Sequence, residues 1–120
     1  MSPSYRVRRV EELVQRVVSE KLITEVALPK IERVTVTKVD MSPDLKNAKI
    51  LFSIIATSDE EKEEIFQSIL QRKKEIRYII GRETDLRFVP ELRFEIDETA
   101  ERAARIDDLI TQIKEERNES

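Results

Sequence analysis

The sequence predicts an α+β domain, with helices packed on one face of a small three-stranded mixed sheet. Three observations predict it. Apolar residues recur at helical spacing near the start, in the middle and at the end of the chain. Between those segments, three shorter stretches place apolar residues on alternate positions, which is strand spacing. A short polar link joins the first two stretches, and a helical segment precedes the third. That order gives a hairpin followed by a crossover.

The first helix starts after Ser4, a residue suited to an N-cap. Val7, Val10, Leu13/Val14, Val17/Val18 and Leu22 then form one stripe over about five turns. Valine is a poor helix former, so burial of that stripe must hold the helix together. Pro29 ends the segment. Arg33 to Met41, "RVTVTKVDM", is rich in β-branched residues and predicts a strand. "SPDLKN" follows as a turn, and "AKILFSIIAT" as the second strand of an antiparallel hairpin. Ala48, Ile50, Phe52, Ile54 and Ala56 line one face of that strand. Lys49, Leu51, Ser53 and Ile55 line the other, which predicts a central strand or one covered on both sides.

Ser58 with Glu61 forms a capping box, and Asp59 and Glu60 favour the helix dipole. That helix runs through Ile65, Phe66, Ile69 and Leu70, and the stripe resumes at Ile76, Ile79 and Ile80. One unbroken helix fits, and so does a kink near Lys73 and Lys74. Gly81 is placed to cap the end. Glu91 to Ile96 is the third strand, entered through an extended segment over 84–90. Pro90 is tolerated where that strand begins, because proline cannot donate to a ladder. The remaining residues, 98–120, predict a C-terminal helix. Its stripe is narrow, Ala103, Ile106, Ile110 and Ile113, and Asp97 or Thr99 is placed to cap it.

A chain of 120 residues is one domain by default, long enough to bury roughly two thirds of its unfolded surface. There is no cysteine, no apolar run of membrane-spanning length and no secretory signal at the start, so the expected location is the cytoplasm. Net charge is −3, but its distribution is uneven: +3 over residues 1–38, −4 over 39–71, +3 over 72–93 and −5 over 94–120. The two basic segments make one patch only if the fold brings them together.

Ser-His and Cys-His catalysis is excluded, because there is neither histidine nor cysteine. No glycine-rich loop is present to cradle a nucleotide. The acidic run "SDEEKEE" is explained by helix capping. No cofactor, metal or small-molecule substrate is expected.

Four blocks carry a family resemblance: "RVRRV" (Arg6 to Val10), "VTVTKVDMSPDLKNAKI" (Val34 to Ile50), "IRYIIG" (Ile76 to Gly81) and "LRFVPELRFEID" (Leu86 to Asp97). In content, order and spacing they resemble ribosome-binding factor A, a family of small bacterial ribosome-assembly proteins. The resemblance implies a KH-like fold of the second topology, α-β-β-α-α-β, over residues 1–97, with 98–120 as a helical extension. It also implies a monomeric, non-enzymatic factor that binds the immature small (30S) ribosomal subunit through its 16S rRNA and assists late maturation. The family often carries Ala-x-Gly at a kink between its two central helices. Arg72, Lys73 and Lys74 stand there instead.

The candidate RNA-binding residues are Arg6, Arg9, Arg72, Lys73, Lys74, Arg77, Arg82 and Arg87. Arginine can grip a phosphate with two bonds, and Arg6 and Arg9 open a helix whose N–H groups also favour phosphate. A solvated helix face, with Glu75 as an ion-pair partner, is the competing explanation for the central run. Arg87 is expected outward, with Leu86 and Phe88 inward. Phe52, Phe66, Phe88 and Phe94 are expected in the core. Only Tyr5 and Tyr78 then remain for stacking, so shape and phosphate contacts should dominate. A module that docks proteins through its first and last helices is the alternative. A carboxylate enzyme with a divalent metal is a more distant one.

Overall fold

The valine stripe decides where the first helix sits. In the computed structural model, which describes residues 4–99, 102–103 and 111–113, helix α1 spans Tyr5–Thr24. Ser4 Oγ accepts from Val7 N at 3.2 Å, so the predicted cap is made. Val7, Val10, Val14, Val17, Val18 and Leu22 are all buried. Each contributes about 1.5–3 kcal/mol of burial, far more than the propensity valine forfeits. The helix stops at Thr24, well before Pro29, because Val26 and Leu28 turn inward to the same core.

A 3₁₀ turn at Ile31–Arg33 leads into β1 (Val34–Met41), which pairs antiparallel with β2 (Asn47–Ile54). The apolar residues of β1 fall at 34, 36, 39 and 41, one position out of phase between Val36 and Val39. A bulge at Thr37 absorbs the extra residue and keeps both halves facing the core. Thr37 Oγ1 donates to Asp97 Oδ2 at 2.6 Å, clasping the bulge to the end of the third strand. In the hairpin loop Leu45 is left-handed, with φ 61°. Asp44 Oδ1 there accepts from Ser42 Oγ at 2.7 Å and from Lys46 N at 3.0 Å.

The central helix is broken. Helix α2 spans Asp59–Leu70 and α3 spans Lys73–Glu83, with Gln71 and Arg72 between them. The break needs no glycine. Arg72 leaves helical geometry at φ −101°, ψ 11°, and its guanidinium bonds Ala27 O at 3.1 Å and Glu75 Oε2 at 2.8 Å. The capping box is half formed: Ser58 Oγ accepts from Glu61 N at 3.1 Å. The Glu61 carboxylate turns instead to Thr57, Lys30 and Arg33.

Gly81 does not cap α3. It lies inside the helix, where a Cβ would meet Val89 Cγ2 at 2.9 Å. Its role is close approach, letting the 84–90 segment fold back against α3. Pro90, almost fully buried, anchors that segment. Glu91 N bonds Lys46 O at 2.9 Å and begins β3 (Glu91–Ile96), so the proline precedes the ladder rather than interrupting it.

The sheet order is β1-β2-β3, with β2 central and parallel to β3. Helices α1, α2 and α3 cover one face. Phe52 and Phe94 meet edge to face at 5.1 Å in the core beneath them. On the other face Lys49 pairs with Glu95 at 3.8 Å, and no described element covers it. Phe88, expected inside, is 71% exposed. Strict alternation fails at that point because 84–90 is not a strand: Leu86 and Val89 turn inward, and Phe88 between them turns out. Phe66 is half-buried.

Asp97 Oδ1 accepts from Thr99 N at 2.9 Å, which makes the predicted cap for the tail. Thr99, Arg102–Ala103 and Thr111–Ile113 are helical, and Ala103 and Ile113 are exposed. Ile106 and Ile110, the middle of the predicted stripe, lie outside the described residues.

Candidate nucleic-acid interface

The fold treats the eight predicted cations in different ways. Arg6 and Arg9 enter a groove of about 410 Å³ between the outer side of α1 and the start of the 84–90 segment. Tyr5, Arg16, Glu12, Asp85 and Leu86 complete its walls. Arg6, Arg9 and Arg16 make no ion pair among the described residues. Arg16 was missed by sequence reading. Its signal was its spacing, seven positions beyond Arg9 and so on the same helix face.

Lys74, Arg77 and Arg82 line a second groove, with Tyr78, Gly81 and Val89. Lys74 is exposed and has no ion-pair partner among the described residues. Arg77 is half-committed. Its Nε donates to Pro90 O at 3.1 Å and its Nη2 to Val89 O at 3.0 Å, which pins the 84–90 segment to α3. Glu91, itself largely exposed, stands 3.3 Å from the same guanidinium.

Three cations of the run, Arg82 in the second groove among them, are held by internal partners. Arg82 bonds Glu25 at 2.6 Å and Glu83 at 2.9 Å, and Lys21 joins both carboxylates. The hydrogen bond from Arg82 holds the carboxyls of Glu25 and Glu83 below their ordinary range, and the same bonds raise Arg82. Arg72 seals the helix break. Lys73 Nζ lies 5.4 Å from the centre of the Phe94 ring, over the core edge rather than in a groove.

Arg87 lies on an exposed ridge of chain, the short span that links a wall of one groove to a wall of the other. Asp85 and Leu86 form a wall of the first groove, and Val89 a wall of the second. Three residues span at most about 11 Å, so the grooves are neighbours. Arg87 and Phe88 form the crest, with the guanidinium 5.6 Å from the ring centre. The two basic segments therefore do meet, along 84–90, but as two grooves and a ridge rather than one continuous patch.

The acidic side chains of α2 gather separately. Asp59, Glu60, Glu63 and Glu64 share a surface with Gln67, Ser68 and Gln71, and that surface has no residue in common with either groove. Among the described residues, no group of three or more acidic side chains could hold a metal ion. No described helix is long and apolar enough to cross a membrane.

Element order, strand pairing and helix placement define a KH-like α+β domain of the second topology, and its basic grooves flank the 84–90 segment. Residues 6–110 match the family model for ribosome-binding factor A, and the chain belongs to that family. A ribosome-binding factor A from Clostridium botulinum is 35% identical over 114 residues, covering 94% of this chain and 98% of that one. A Thermotoga maritima protein described as a ribosome binding factor A, solved by NMR, superposes with a TM-score of 0.67 at 28% identity, over 79% of this chain and 90% of that one. The crystal structure of ribosome-binding factor A from Thermus thermophilus shares the fold, with a TM-score of 0.66 at 18% identity, over 77% of this chain and 97% of that one. The chain is thus a ribosome-associated factor by family.

Proposed function

We propose that this protein binds the immature small ribosomal subunit through 16S rRNA and assists late maturation without catalysing a reaction. The observation that carries the reading is the set of unpaired arginines, Arg6, Arg9 and Arg16, lining a groove in a domain of this family. A guanidinium with no internal partner keeps its full capacity to grip a phosphate. Lys74 and Arg87 extend the contact surface, and Arg77 adds to it while holding the junction. Arg72, Lys73 and Arg82 are assigned to the fold instead. The mechanism is a population shift: a factor that prefers one rRNA conformation draws the ensemble toward it. The protein acts as a monomer in the cytoplasm.

Docking through the first helix is the weaker reading, because the apolar stripe of α1 is buried against the sheet. Co-sedimentation with isolated small and large subunits, over a salt series, tests the proposal. The expected result is binding to the small subunit that falls steeply as salt rises. Equal pelleting with both subunits, or binding indifferent to salt, would remove the reading.

A further inference from the structure

We infer that the basic surface takes single-stranded RNA with its bases unstacked, each laid against an exposed ring of Tyr5, Phe88 or Tyr78. The inference deepens the RNA-binding reading and rests on it. The chain has six phenylalanines and tyrosines and no tryptophan. Phe52 and Phe94 are core and Phe66 is half-buried. The other three are 78%, 71% and 69% exposed at Tyr5, Phe88 and Tyr78.

Scattered exposed rings need no explanation. These are not scattered. Tyr5 lines the first groove, Tyr78 lines the second, and Phe88 crowns the ridge between them. Ile23 and Ile55, equally exposed, line neither groove.

Each ring also has a cation at hand. Tyr5 shares its groove with Arg6, Arg9 and Arg16; Phe88 has Arg87 over its ring; Lys74 is one helical turn before Tyr78. A flat apolar face beside a cation matches a nucleotide, whose base stacks while its phosphate is neutralised. Duplex RNA offers no base face to such a ring, because its bases are already stacked on one another. The rings therefore select unpaired segments. They do so without sequence preference, since every base has a face.

The rigid placement of Phe88 supports this. Pro90 is buried, Arg77 bonds the carbonyls of Val89 and Pro90, and Gly81 admits Val89 against α3. The crest is built from the core outward, so its ring is held out at low entropic cost.

The chain supplies its own probe. With no tryptophan, its intrinsic emission comes from Tyr5 and Tyr78, and both line the grooves. Titration with an unstructured RNA of about ten nucleotides, and with the same strand annealed to its complement, reads both binding and stacking. The single strand is expected to quench tyrosine emission and to bind more tightly than the duplex. Tyr5→Ala, Tyr78→Ala and Phe88→Leu should each weaken single-strand affinity by about tenfold and leave the salt slope unchanged, and Phe88→Tyr should restore it. If these variants bind the single strand like the parent while Arg6→Ala and Arg9→Ala weaken both RNAs, stacking is wrong and the RNA reading survives. If no RNA binds, and the rings are needed only for pelleting with subunits, the surface docks a protein and both readings fall.

Discussion

Helices α1 and α3 and the segment after α3 carry charge in two places, and the two are treated in opposite ways. In one, Lys21 and Glu25 of the α1 C-terminus meet Arg82 and Glu83 of α3, and every charge has a partner within 3.5 Å. In the other, Arg6, Arg9 and Arg16 of α1 face Asp85 and Leu86 across an open groove and have no ion-pair partner among the described residues. Composition alone does not separate these clusters. The difference lies in what each charge can still do. A network satisfied internally ties two helices together and has little left to offer a ligand. An arginine without a partner adds little to the fold and retains its donors for a phosphate.

Ile80 is fully buried under the α3 end that supports both places. Ile80→Ala should cost about 2–5 kcal/mol, lowering the denaturation midpoint and loosening both clusters together. Chemical denaturation followed by circular dichroism measures it. An unchanged midpoint would mean that α3 is not the shared support.

Altering each cluster alone separates binding from stability. Arg6→Ala with Arg9→Ala should weaken binding to small subunits and flatten its salt dependence by about two charges' worth of slope, while stability stays within about 0.5 kcal/mol. Arg82→Ala should do the reverse, with a modest loss of stability that shrinks as salt rises and unchanged subunit binding. Thermal melts and co-sedimentation on the same preparations test both. If Arg82→Ala weakened binding as much as the Arg6, Arg9 pair, the division drawn between the clusters would be wrong.

The smallest effect is expected at low pH. Hydrogen bonds from Thr37 and Thr99 lower the Asp97 carboxyl to about 2. A carboxyl depressed in the folded state contributes stability that is fully present above its unfolded value and is lost as pH falls through the folded one. For Asp97 that window runs from about pH 4 down to about 2, between the unfolded value and the folded one. Glu25 and Glu83, also depressed, fade in the same direction as their ion pairs protonate. An Asp97→Asn variant should therefore lose less stability than the parent between neutral pH and pH 2. Acid titration of both would show the curves converging, and parallel curves would remove Asp97 from the account.

Much of this molecule is local and so was legible from residue order. The Ser4 cap, the valine stripe, the hairpin loop between Met41 and Asn47, and the start of the third strand just past Pro90 all follow from backbone preferences and periodicity over a few residues. Family resemblance added the topology, and matching blocks pointed to the α3–β3 stretch. The misses share a cause. Gly81 was read as a cap because a glycine near a helix end usually is one, yet Val89, far along the chain, decides its role. Phe88 was placed inside by counting alternate positions through a segment that is not a strand. Arg82, a candidate for RNA contact, also meets Glu25, 57 positions away, a partner that no local pattern reveals.

Residue order alone set the elements, their succession and which stripe of each is apolar, because those depend on interactions within a turn or two of chain. Which charges are quenched, which rings face water and that the two basic segments meet along 84–90 emerged with the folded arrangement. Those outcomes depend on which distant side chains arrive within about 4 Å of one another, where Coulomb and hydrogen-bond energies become large enough to matter. No count along a linear chain contains that distance.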